Sequence, residues 1–136
     1  MNSPHKLSEG TESLPDALME RVLARLGLPR HPAPTLGTLR AISAAWCQRV
    51  PFDNVRKLIL LRAGNARPLP GSSVVDSFEG WLRVGTGSTC RPGASALHAL
   101  LTSLGFAATR GLGTMLVAPG LPPNHGTVLV TVEVAS

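Results

Sequence analysis

The sequence has no tyrosine, three phenylalanines and two tryptophans, so aromatics make up only 4% of its 136 residues. A core must therefore come mostly from Leu, Val and Ala. No basic run interleaves with aromatics, which removes the stacking platform that single-stranded nucleic acid requires. Cysteine is almost absent: Cys47 and Cys90 cannot make a disulfide framework, and a reducing, cytoplasmic setting is expected. Four histidines without paired ligand spacing predict no metal site. No apolar run is long enough to span a bilayer, and no charged-then-apolar leader opens the chain. Neither a membrane nor a nucleic acid is expected as a partner.

What is present fits a folded domain. Hydrophobic residues make up 43% and charged residues 15%. Thirteen Lys and Arg against eight Asp and Glu give a net charge of +5. The basic residues are scattered, which reads as a solvated basic surface whose field attracts an anionic, phosphorylated co-substrate.

The pattern along the chain is helices first and strands last, which predicts an α+β fold. Residues 1–12 read as a flexible N-terminus, 13–83 as a helical region, and 84–136 as a further helix plus a partial β domain. Leu14, Leu18, Val22 and Leu26 recur at helical spacing after Pro15-Asp16, and Gly27 supplies the stop. Thr35 starts a second helix with Leu36, Leu39, Ile42, Ser43 and Trp46 on one face, ended by Pro51. Residues 55–61 suit a short helix or a strand, and 63–73 read as a loop. Ser73 caps a third helix carrying Val74, Val75, Phe78, Trp81 and Leu82. After a Gly/Ser/Thr-rich connection, another helix starts at Cys90, carries Leu97, Leu100, Leu101 and Leu104, and ends at Gly105. Residues 106–117 and 127–134 are rich in β-branched side chains and predict two antiparallel strands.

Cys90 is the candidate for chemistry. The thiolate is the reactive form of cysteine, and a helix N-terminus stabilises it through unpaired N–H groups and the helix dipole. With a histidine partner, such a site lowers a thiol pKa from about 8.5 to roughly 3.5–7.5. Gly87, Ser88 and Thr89, just before Cys90, are candidates for oxyanion or acyl-group contacts through their backbone. Of the histidines, His5 lies near the chain start and His31 in a Pro-rich connection. His98 stands eight residues along the helix from Cys90, too far along the axis to activate the thiol. His125, at the start of the second strand, is the preferred partner. Cys47, in mid-helix beside Trp46, reads as a small buried hydrophobe.

Three blocks, in order, resemble the arylamine N-acetyltransferase family. Val50-Pro51-Phe52-Asp53-Asn54-Val55 is similar to its V/I-P-F-E-N-L. Gly87-Ser88-Thr89-Cys90, with the Leu-rich helix and Leu104-Gly105-Phe106, resembles its R-G-G-x-C block. His125-Gly126-Thr127-Val128-Leu129-Val130 is similar to its H-x-x-L-L-V strand. The resemblance implies a helical bundle followed by the start of an antiparallel β domain, with papain-like cysteine acyltransferase geometry. It implies ping-pong transfer from acetyl-CoA, a co-substrate and not a permanently bound cofactor, through a thioester on Cys90 to an aromatic amine or hydrazine. His125 is then the base. The family's Arg falls on Thr86, its second Gly on Ser88, and its aromatic and Glu after the cysteine on Arg91 and Pro92. Its triad Asp, in a D-V-G-F-G block, is expected beyond Ser136, so the chain reads as truncated, with an open strand edge suited to self-association. An amide synthase of natural-product biosynthesis and a non-catalytic homologue are the alternatives.

Overall fold

The computed structural model describes residues 14–64, 73–114, 119–120, 122 and 125–133. The expected flexible segment 1–12 and most of the 63–73 loop lie outside the described residues. The fold is α+β: five helices precede a two-stranded antiparallel sheet. They are α1 (Asp16–Leu26), α2 (Leu36–Arg49), α3 (Val55–Ala63), α4 (Val74–Val84), α5 (Cys90–Ser103), β1 (Ala107–Gly113) and β2 (His125–Thr131). Among the described residues, no helix is long and apolar enough to cross a membrane.

The helices begin where side chains offer caps. Thr35 Oγ1 accepts the Thr38 N–H at 3.2 Å, and Ser73 Oγ accepts that of Asp76 at 3.4 Å. Each hydroxyl satisfies one of the N–H groups that a helix start leaves without an intrahelical partner. At the end of α5, Gly105 has a φ of 94°, a conformation that costs glycine nothing. Its N–H reaches Thr102 O at 3.1 Å, and the next N–H, of Phe106, reaches Leu101 O at 3.0 Å. The turn closes the last carbonyls of α5 and drops Phe106 into the core.

Helix α5 occupies the centre. One side packs on α4 and the other on both strands, while α1 covers α4. Val22, Leu23, Ile42 and Leu100 are wholly buried, and Phe78, Trp81 and Leu101 nearly so. Burial of each large apolar side chain contributes roughly 1.5–3 kcal/mol. Trp46 meets Phe78 edge to face, with ring centroids 6.1 Å apart. Trp81 places its ring in the core, and its indole N–H donates to Arg49 O at 3.0 Å at the end of α2. In the sheet, Ala107 pairs with Thr131 and Gly113 with His125. Ala108, Val128, Val130 and Val132 pack against the core.

Residues 55–61, open between helix and strand in the sequence, form a helix, and none of α3 is buried. Arg56 ties it down: its Nη2 lies 3.0 Å from both carboxylate oxygens of Asp76, and Nη1 donates to Asp76 O at 3.3 Å. The second helix needs two corrections. Only Ile42 and Ala45 are buried, while Leu36 and Ser43 of the expected apolar face are exposed. Cys47, read as a buried hydrophobe, is exposed. Helix α2 meets the core along a narrow strip, and one residue past Trp46 already lies outside it.

Candidate functional site

Segments far apart in sequence meet at the start of α5. Cys90 is the first residue of that helix and is half-buried. Thr89 before it is extended, with φ −77° and ψ −179°, and its hydroxyl makes no cap. Pro92 has no N–H, and Gly93 N–H opens the helical ladder by bonding Thr89 O at 3.1 Å. The N–H groups of Cys90 and Arg91 are thus left at the helix start without a side-chain cap, where a developing anion is stabilised. Pro92 costs nothing there.

The 85–89 connection is held from outside by the Pro51-Phe52-Asp53 segment. Phe52 and Ser88 form a parallel bridge. The Asp53 N–H donates to Ser88 O at 3.2 Å, and Asp53 Oδ2 accepts the Gly87 N–H at 2.8 Å. Asp53 Oδ1 accepts the Val55 N–H at 3.2 Å, which fixes the carboxylate at the entry to α3. A charge-assisted bond to the Gly87 N–H is stronger than a neutral one. Glycine is required at 87 by space: a Cβ there would overlap the carbonyl oxygen of Pro51. The Gly87 N–H, expected as an oxyanion donor, is therefore taken by Asp53. Ser88 turns its side chain toward α5, where a Cβ on Gly93 would come 3.3 Å from Ser88 Oγ.

The start of β2 lies against the same helix turn. A Cβ on Gly126 would stand 3.3 Å from Arg91 Cα and 3.5 Å from Ala94 Cβ. His125, one residue earlier, is exposed at the first position of the strand. Among the described residues no hydrogen bond joins its ring to the Cys90 thiol. The structure thus brings together the Asp53 segment, the 87–90 connection and the start of β2; Gly126, Val128 and Val130 take the face of β2 toward α5, and His125 stands on the alternate, exposed face, not paired with Cys90.

The other histidines differ. His31 is exposed. His98 is buried, with Nε2 3.1 Å from Ala108 O, so it joins α5 to β1. His5 lies outside the described residues. No group of three or more His, Cys, Asp or Glu residues suited to a metal occurs among the described residues.

Asp53 was missed as a site residue by the sequence reading. The sole signal was its place in the Pro-Phe-Asp-Asn block, 34 residues before the N–H it accepts. The comparisons with known proteins add no relative: no family model matches this chain, and no curated protein matches it.

Proposed function

We propose that this chain is built for cysteine-based acyl transfer, with Cys90 as nucleophile and His125 as base. The observation that carries the reading is the convergence on one helix turn. A cysteine opens α5, the connection before it is clamped by Asp53, and the first residues of β2 cross over Arg91 and Ala94.

In the proposed reaction, the Cys90 thiolate attacks the carbonyl carbon of acetyl-CoA. The bond to the CoA sulfur breaks, and CoA leaves with the proton held by the His125 imidazolium. A primary amine then attacks the Cys90 thioester, the imidazole takes its proton, and the thiolate is regenerated. In this reading the uncapped N–H groups at the start of α5 stabilise the oxygen that becomes negative in each step. Net basic charge favours arrival of the phosphate-rich CoA.

The test offers acetyl-CoA with small arylamines and hydrazines and follows release of free CoA. Release beyond one equivalent per chain must need the amine, and release must disappear in both Cys90→Ala and His125→Ala. Equal release from Cys90→Ala, or none from the unaltered chain, rejects the proposal. Transfer only from a carrier-bound acyl chain selects the amide synthase instead.

A further inference from the structure

Strand β2 carries no charged residue and no proline. Its sheet holds two strands, so β1 and β2 each keep one edge without a strand partner among the described residues. Among those residues, β2 also makes no backbone hydrogen bond beyond its pairing with β1. Such an edge presents N–H and C=O groups that template another strand, and folded chains guard it with a charge, a proline or a bulge. The edge of β1 has a guard: Arg110 stands at the middle of the strand, on the side facing α5, where its Nη1 donates to Ser95 Oγ at 3.2 Å. The edge of β2 has none. Its seven residues pair one to one with β1, without a bulge, and Thr127, Val128, Val130 and Thr131 are β-branched. Leu129 is 62% exposed.

We propose that the outer edge of β2 is a dimer interface, paired antiparallel with β2 of a second copy about a two-fold axis at Val128. Residues opposite each other in antiparallel strands point to the same side of the sheet. Gly126, Val128 and Val130 face α5, and His125, Thr127, Leu129 and Thr131 face away. An axis at Val128 respects both faces: Val128 meets its own copy, Gly126 meets Val130, Thr127 meets Leu129, and His125 meets Thr131. A slip of one residue would set inward side chains against outward ones. Charge selects the strand. The chain carries a net charge of +5, and the same construction on β1 sets Arg110 directly against its own copy. Helix α3 also exposes Leu58, Ile59 and Leu61, but its charges are all basic, and a second copy repels them. The pairing yields a four-stranded sheet with both α5 helices on one side. Each α5 covers two strands, and strands stand about 4.8 Å apart, so the helices lie about 10 Å apart, an ordinary packing distance. Leu97, one turn beyond Ala94 on the β2 side of α5, is partly buried and supplies apolar surface for that gap. Seven residues give a contact about 24 Å long, and two layers of about 10 Å each cover roughly 500 Å² per copy. The total reaches the roughly 1,000 Å² that a specific interface needs. This inference is independent of the acyl-transfer reading.

The test is sedimentation equilibrium of the unaltered chain over a wide range of concentration. The expected mass rises to twice the 14.2 kDa of one chain. Thr127→Lys with Leu129→Lys sets lysine against lysine on both sides of the axis and leaves a monomer. Thr127→Glu with Leu129→Glu does the same with carboxylates. Mixing the two doubly substituted chains restores the dimer mass, which unfolded chains could not do. Leu58→Ser with Ile59→Ser, on α3, leaves the dimer intact. A chain that stays monomeric throughout, or that grows beyond two copies, overturns the proposal. So does a dimer that survives the lysines, a mixture that stays monomeric, or a dimer lost with the α3 substitutions.

Discussion

Gly87→Ala is the most informative single substitution. The new Cβ would overlap the Pro51 carbonyl oxygen, and the obstacle is backbone rather than the end of a flexible side chain. Relief requires the Pro51-Phe52-Asp53 segment to move off the 85–89 connection. That motion breaks the 2.8 Å bond from Gly87 N–H to Asp53 Oδ2 and the 3.2 Å bond from Asp53 N–H to Ser88 O. A bond to a charged acceptor contributes about 2 kcal/mol and a neutral one about 1, so the loss is about 3 kcal/mol. An unfolding entropy of about 2.1 cal/mol/K per residue converts this to a fall in melting temperature of about 10 °C. Gly85→Ala is the control. Gly85 has a φ of 74° but nothing within 4 Å of an added Cβ, so it loses only about 1 kcal/mol of left-handed strain. Calorimetry therefore ranks Gly87→Ala well below Gly85→Ala, and iodoacetamide labelling changes rate at Cys90 and not at exposed Cys47. If Gly87→Ala melts at or above Gly85→Ala, the close approach at Pro51 does not exist and the account of the connection fails.

Arg56→Ala and Gly80→Ala act on one joint. A Cβ on Gly80 would come 2.7 Å from Arg56 Nη1 and push the guanidinium off Asp76. Arg56→Ala costs about 1 kcal/mol, the pair being partly exposed; Gly80→Ala loses the same pair but gains about 1 kcal/mol of helix propensity, so in urea titration it is near neutral alone and stabilising in the Arg56→Ala background, and equal effects in both backgrounds would disprove the shared joint. His98→Leu removes the 3.1 Å contact to Ala108 O and destabilises by about 1 kcal/mol, read as faster amide exchange in β1; unchanged exchange there contradicts the role given to the ring. At the surface, the hydrogen bond from Arg30, and then its charge, hold Glu20 below its ordinary pKa of 4.5. The pair's stabilisation is full above that value and is lost as pH falls through the lower folded pKa. Arg30→Ala therefore differs in melting temperature from the unaltered chain at neutral pH, and the gap closes in acid; a gap that widens in acid would refute the pairing.

The helices were legible because their signals are local. Leu18, Val22 and Leu26 mark the buried face of α1, and they and Leu14 just before the helix are buried. Thr35 and Ser73 cap as their side chains predict, and Gly105 turns where a glycine must. Helix α3 stayed ambiguous because its apolar residues are not partitioned by an apolar contact; Leu58, Ile59 and Leu61 are exposed, and an ion pair holds the helix. Cys47 was misjudged because a neighbouring aromatic says little about which side a residue turns to, 100° further round the helix. For the candidate site, the position of Cys90 at a helix start could be read from Gly85 to Thr89 and the leucine stripe beyond. The Asp53 clamp could not, since it depends on a backbone N–H 34 residues away and no side-chain pattern reports that donor.

Whether Cys90 takes an acyl group from a thioester is read by intact-protein mass spectrometry after incubation with isotope-labelled acetyl-CoA. The expected result is a single acetyl adduct, mapped by peptide digestion to Cys90, absent from Cys47 and absent in Cys90→Ala. No adduct, together with alkylation of Cys90 no faster than that of Cys47, would contradict it.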